Sequence, residues 1–367
     1  MKRTFLLLAV LFLLTPVAKA DKGMWILKEL NKENRDRMRQ LGFTMPFDKL
    51  YNENTPALHN SVVIFGRGCT GITVSNQGLI FTNHHCGYFS IQELSSVDHD
   101  YLRDGFVSHA LNQELPVPGL TVQYLRSTED ITDRIVKSVA GITDEITRIK
   151  AIQAEIAKIE KEVETEPNTT AKVYPFYNNN KYYLISYDVF KDVRMVFAPP
   201  SSIGKFGGDT DNWMWPRHTG DFAVFRVYAD ANNRPAEYNA NNKPFTPKAF
   251  AKISLSGVAE KDYAMTIGFP GRTNRYLSSW GVENLIKNEN TPRIEVRGLK
   301  QDVWKSFMEK EQAIRIQYSG KYASSSNYWK NSIGMNKGLR RLNVISEKQK
   351  IEKDFARFAE STPERKA

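Results

Sequence analysis

Cysteine is scarce: the 367 residues hold two, Cys69 and Cys86. No third or fourth thiol is available, which excludes a metal cluster built on cysteine. Long apolar runs are also missing. The one apolar stretch, residues 5–14, is roughly ten residues long, against the ~20 a membrane-spanning helix needs. Blocks of one charge are absent too. The net charge is +10, yet Lys and Arg alternate with Asp and Glu along most of the chain, a pattern that argues against a nucleic-acid partner. Internal repeats and low-complexity segments do not occur.

The N-terminus has the marks of an export leader. Lys2 and Arg3 precede the apolar run, and Ala18-Lys19-Ala20 supplies the small-x-small cleavage pattern, so cleavage is expected near Ala20. Residues 1–20 then read as a signal peptide, and the mature chain is expected to be soluble and periplasmic, or secreted to the outer surface, with no stable membrane insertion. In that oxidising compartment a Cys69–Cys86 disulfide is the economical reading. It closes a loop of roughly 17 residues, worth roughly 3 kcal/mol on the chain-entropy view.

The length exceeds one ordinary core, so two structural units are expected. Residues 21–58 read as a helical lead-in. From residue 61 the pattern changes to short β-type runs at 61–65, 71–74 and 79–82, punctuated by Gly66, Gly68 and the Asn76-Gln77-Gly78 turn. A further strand is expected at 120–125. Then Ile142, Ile146, Ile149, Ile152, Ile156, Ile159 and Val163 recur at spacings of three and four, an amphipathic helix with a packing face. Asn168-Thr169-Thr170 reads as polar loop. Strands are expected again at 181–190, 193–197, 221–228, 251–255 and 263–267, and helices at 281–318 and 339–360. The fold class is thus mainly β with α insertions: an antiparallel β-barrel over 21–278, interrupted by helix at about 128–165, then the start of a helical domain over 279–367. The chain stops within charge-patterned helical sequence, which suggests a fragment of a longer protein.

The densest chemical signal is Gly68-Cys69-Thr70-Gly71-Ile72 followed by Thr82-Asn83-His84-His85-Cys86. In chymotrypsin-like proteases a similar Thr-x-x-His-Cys element holds the catalytic histidine beside a disulfide. His85 is therefore the candidate general base, since imidazole can take a proton near neutral pH and return it. A satisfied structural histidine and a metal ligand are the alternatives. On the reading that residues 84–86 lie at a strand end, consecutive side chains diverge, which disfavours a metal and makes His84 structural. Asp221, ahead of the apolar run Phe222-Ala223-Val224-Phe225, is the candidate carboxylate that orients His85, with a plain turn aspartate as the alternative. No Gly-Asp-Ser-Gly or Gly-Asn-Ser-Gly occurs. Ser256, in Ser254-Leu255-Ser256-Gly257, reads as an ordinary turn residue.

Longer motifs carry a family resemblance. Gly23-Met24-Trp25, the Thr82 to Gly87 element, the run from Gly207 through Asn212-Trp213-Met214-Trp215-Pro216 to Asp221, Gly268-Phe269-Pro270-Gly271-Arg272-Thr273, and Asn327-Tyr328-Trp329-Lys330-Asn331 together resemble the dipeptidyl-peptidase 7 and dipeptidyl-peptidase 11 family of bacterial serine exopeptidases. The resemblance covers nearly the whole mature chain. It implies a chymotrypsin-like double β-barrel with a helical cap domain, peptide substrates with a free N-terminus, and a homodimer. It also implies that His85 and Asp221 are triad members and that Asn212, Trp213 and Asn327 line a pocket for the substrate amine. Packing and capping are the plainer roles for those three. No cofactor and no metal are expected. The serine and the oxyanion hole are expected outside these residues, so this chain alone is expected to be inactive. A non-catalytic peptide-binding module on a protease scaffold and a trypsin-like endopeptidase are the competing readings.

Overall fold

The computed structural model describes residues 25–271, 273–274 and 276–366. The expected leader at 1–20 lies outside them. Two compact units are present. The smaller comprises, among described residues, 25–51 and 258–264. Its helix α1 (Lys32–Gln40) starts where Asn31 accepts a hydrogen bond from the Asn34 backbone N–H at 2.9 Å, an ordinary N-cap. Phe43 packs on Phe47 and Tyr263 with ring centroids 5.0 and 5.2 Å apart.

The larger unit, 52–257 with 265–366 among described residues, is built on an antiparallel sheet. Its strands are β1 (Val62–Phe65), β2 (Cys69–Thr73), β3 (Leu79–Thr82), β4 (Phe106–Val107), β5 (Leu115–Pro116), β6 (Val122–Asp130), β7 (Thr169–Phe176), β8 (Lys181–Phe190), β9 (Val193–Ala198), β10 (Ala223–Ala229) and β11 (Lys243–Pro244). The order is β4-β9-β10-β3-β2-β1-β6-β8-β7, with β5 on β9 and β11 on β10. β4 and β7 stand at opposite ends, so among the described residues the sheet does not close on itself. Alternate residues point to one face, and there Val63, Phe65, Ile80, Val122, Met195 and Phe225 are fully buried. Each contributes roughly 1.5–3 kcal/mol by leaving water.

One register positions the site. β3 pairs with β10 so that Thr82 faces Ala223. The residues just past the end of β3 therefore meet those just ahead of β10. A one-residue slip is forbidden because it would turn Ile80 and Phe225 out of the core.

Several expectations are corrected. Past Thr82 the chain enters helix α2 (His84–Leu94) rather than continuing as a strand end. β10 begins at Ala223, two residues after Asp221. β6 runs on to Asp130, and the expected insertion is two helices, α3 (Thr132–Ser138) and α4 (Glu145–Val163). Ile152, Ile156 and Ile159 of α4 pack with Ala171, Val173 and Leu184 of β7 and β8, but Ile146 and Ile149 remain exposed. Thr169 and Thr170 open β7 instead of lying in a loop. Residues 251–255 and 263–267 form no strand: Ala251 N–H donates to the Thr73 carbonyl, and no ladder follows from that single bond.

The C-terminal part is helical. Helix α5 (Ser279–Asn284) passes through a π-helical segment (Leu285–Asn290) into α6 (Thr291–Met308), followed by α7 (Gln312–Arg341) and α8 (Val344–Ala359). The Glu352 carboxylate accepts from both the backbone N–H and the hydroxyl of Ser279, which ties α8 to the start of α5. No described helix is long and apolar enough to cross a membrane.

Candidate active site

The β3–β10 register brings His85 and Asp221 together. The His85 ring Nδ1 lies 2.7 Å from Asp221 Oδ2, and the His85 backbone N–H donates to Asp221 Oδ1 at 3.0 Å. That N–H belongs to the first turn of α2, where backbone donors have no partner inside the helix. The Asp221 carboxylate thus caps the helix from another segment, and the positive end of the helix dipole favours its charge. Asn83, the N-cap residue, makes no side-chain cap bond. Its amide instead donates to the Asp221 carbonyl at 3.0 Å. Asn83 escaped the sequence reading because the helix it precedes was read there as a strand end.

An ionised carboxylate only accepts, so Nδ1 carries the proton and the Nε2 lone pair is the free base. Burial pushes the Asp221 carboxyl up, but the hydrogen bonds from the His85 ring and backbone more than offset this and hold it below its ordinary value. The imidazole is 68% exposed and its Asp221 partner 29%.

Cys69 and Cys86 are disulfide-bonded, with Cα atoms 6.1 Å apart. Cys86 Sγ stands 3.5 Å from His85 Nε2. With both sulfurs bonded to each other, the clustering of Cys69, Cys86 and His85 offers no thiolate to a metal. His84, in contrast, is 1% exposed. It stands edge-on to Tyr88, 5.5 Å between centroids, and lies so close to Gly204 that a β-carbon there would come within 2.5 Å of the ring. Burial is the main cause that lowers its pKa to about 4. Its divergence from His85 arises from the helical turn, not from strand alternation.

A second cluster lies in the same unit. The Asn212 amide donates to Asn327 Oδ1 at 3.0 Å, and Trp213 Nε1 donates to the same oxygen at 3.0 Å and to the Asn327 carbonyl at 3.1 Å. Asn212 and Asn327 are 115 positions apart, so α7 crosses the loop that leads to Asp221. Two lone pairs per amide oxygen leave Asn327 Oδ1 fully used and Asn212 Oδ1, bonded by Arg217 at 3.2 Å, with one acceptor site. Trp213 adopts φ +59°, the left-handed region that costs a bulky residue energy, and its ring is exposed. Gly207, at φ +78°, starts this loop where a side chain would run into Asp211. Arg217 went unassigned in the sequence. Ser256 bonds only locally, to Ser254 at 2.7 Å, in an exposed turn.

Comparison with known proteins identifies the family. The family model described as Peptidase S46 matches residues 20–367. The chain is 63% identical over 358 residues to dipeptidyl-peptidase 7 of Porphyromonas gingivalis, covering 97% of this chain and 50% of that protein. To the Asp/Glu-specific dipeptidyl-peptidase of Flavobacterium psychrophilum it is 45% identical, covering 96% and 49%. The crystal structure of Porphyromonas endodontalis DPP11 in complex with dipeptide Arg-Asp superposes with a TM-score of 0.86 at 41% identity, covering 93% of this chain and 50% of that one. The chain spans about half the length of the curated relatives it matches. On the family match and these identities, the chain belongs to the peptidase S46 family.

Proposed function

We propose that this chain carries the base, the orienting acid and the amine pocket of an exported serine dipeptidyl-peptidase whose nucleophile is supplied by sequence beyond these residues. The observation that carries the reading is the pairing of His85 with Asp221 in the same compact unit as the Asn212–Trp213–Asn327 cluster. The serine hydroxyl gives its proton to His85 Nε2 as its oxygen attacks the carbonyl carbon of the substrate's second residue. The tetrahedral intermediate then collapses, the peptide C–N bond breaks, and the imidazolium returns the proton to the leaving amine. A water repeats the sequence and frees the dipeptide. Asp221 holds the imidazole in the Nδ1–H form throughout and stabilises its charged state.

The amine end is recognised by the acceptor site that Arg217 leaves open on Asn212 Oδ1, with Asn327 holding Asn212 and Trp213 in place and the Trp213 ring bounding the pocket. An antiparallel sheet carrying a histidine helix beside a disulfide supports a chymotrypsin-like architecture in which these strands form the first barrel and α5–α8 begin a helical cap. Peptides with a free N-terminus are the proposed substrates, the periplasm the proposed compartment and a homodimer the proposed assembly.

The test uses the complete polypeptide. Dipeptide release from free-amine peptides should vanish in His85→Ala, and N-terminal acetylation of the substrate should abolish turnover by the unaltered protein. Unchanged release by His85→Ala removes the assignment; brisk cleavage of acetylated peptides moves it to an endopeptidase.

A further inference from the structure

Helix α2 carries the proposed base at one end and a second contact at the other. Gln92 lies seven residues after His85 on α2, two turns on and hence on the same face. Its amide makes a paired contact with the backbone of α7: Nε2 donates to the Gln317 carbonyl at 2.9 Å, and Oε1 accepts from the Gly320 N–H at 2.8 Å. Gly320 is a notch. A methyl group there would collide with Gln92 Oε1 and the Phe89 ring. Asn327 in turn lies seven residues after Gly320 on α7, again two turns away on the same face.

The contacts also fix the relative direction of the two helices. On α2 itself Phe89 lies against Gly320 and Gln92 reaches back to Gln317, and past the end of α2 Val97 and Asp100 meet Gln312 and Arg315. Rising numbers on one segment meet falling numbers on the other. From the junction, His85 and Asn327 therefore lie on the same side, each ~10 Å along its own helix. Two extended residues span about 7 Å and a third adds ~3.5 Å. A slip of the helices by a fraction of a turn is enough to change how many residues fit between amine and scissile carbonyl.

We propose that the Gln92–Gly320 junction sets the spacing between His85 and the Asn212–Trp213–Asn327 cluster, and so the number of residues removed per cut, with Gln92 a positioning residue for length selection. This deepens the dipeptidyl-peptidase reading and rests on it.

The experiment compares the complete polypeptide with Gln92→Met, which loses both bonds, Gln92→Glu, which keeps the acceptor for Gly320 N–H, and Gly320→Ala, which fills the notch from α7. Each is assayed on free-amine dipeptidyl and tripeptidyl reporter substrates. Gln92→Met should raise KM for the dipeptidyl substrate roughly 10-fold, the worth of two neutral hydrogen bonds, with kcat within about twofold. The tripeptide share of products should rise in Gln92→Met and Gly320→Ala and recover in part in Gln92→Glu. Failure of the unaltered protein to release dipeptides would strike the peptidase reading itself. If it releases them while both Gln92→Met and Gly320→Ala keep its KM and product ratio, or lose only kcat, the junction does not set the spacing.

Discussion

His84 makes the folded state sensitive to mild acid, and the size of the effect follows from its surroundings. The ring is buried, and its Nε2 finds no hydrogen-bond partner among the described residues. Protonation would place a second N–H there with nothing to accept from it. Burial is the largest cause of the fall in pKa from 6.5 to about 4; Asp221 opposes it, and His85 and Lys205 reinforce it. Since the folded value lies below the unfolded one, the unfolded chain binds more protons through this window. Stability is thus intact above pH ~6.5 and lost as pH falls toward 4. The full loss is about 3 kcal/mol, and about 2 kcal/mol of it falls between pH 7 and pH 5. The check is urea unfolding at those two pH values for the parent chain and for His84→Phe, which keeps a ring but cannot titrate. The parent should lose about 2 kcal/mol more than the variant over the interval, because other titrating groups are common to both. Parallel losses in the two proteins would show that His84 is not held neutral, and the account of its burial would be wrong.

Asp221→Asn leaves the shape of the pair but lets Nδ1 lose its proton preference. In the complete polypeptide kcat should fall roughly 10³–10⁴-fold with KM little changed; a loss below about tenfold would remove Asp221 from its orienting role. The double variant Cys69→Ala with Cys86→Ala frees a 17-residue separation and should lower unfolding stability by about 3 kcal/mol, measured by denaturant titration without reductant. An unchanged midpoint would mean the crosslink constrains little that the sheet does not already hold.

The residues of the candidate pair were legible because their signals are local in type and spacing. A histidine beside a cysteine, a second cysteine within reach, and an acid ahead of an apolar strand identify His85, Cys69, Cys86 and Asp221 without coordinates. Strands such as β3 and β8 were legible from apolar β-type runs bounded by Gly or Asn turns. Helix α2 was not. Its opening residues His84, His85, Cys86 and Gly87 are weak helix formers, and long-range contacts hold its first turn in place. Asp221 takes an N–H of the first turn, and Gly87 lies flat on Phe225, where a β-carbon would come within 3.0 Å of the ring. Residues 251–255 failed in the opposite sense. Their composition suits a strand, but a ladder exists only with a neighbour, and Leu255 is 95% exposed. The contact between Gln92 and Gln317 spans 225 positions, and nothing at either end announces it.

The site therefore depends on one short helix more than on the sheet beneath it. The Thr82–Ala223 register delivers Asp221 to the start of α2, where the carboxylate caps the helix and orients the imidazole in one act. Seven residues later the same helix grips α7, which brings Asn327 to Asn212 and Trp213. A rigid α2 transmits position from the proposed base to the proposed amine pocket, because the helix keeps a fixed rise per residue as long as its backbone bonds hold. A change inside α2 that leaves His85 and Gln92 unsubstituted, such as a side chain at Gly87 pushing against Phe225, would tilt both ends together. Base and pocket would then fail as a pair, although neither had been touched.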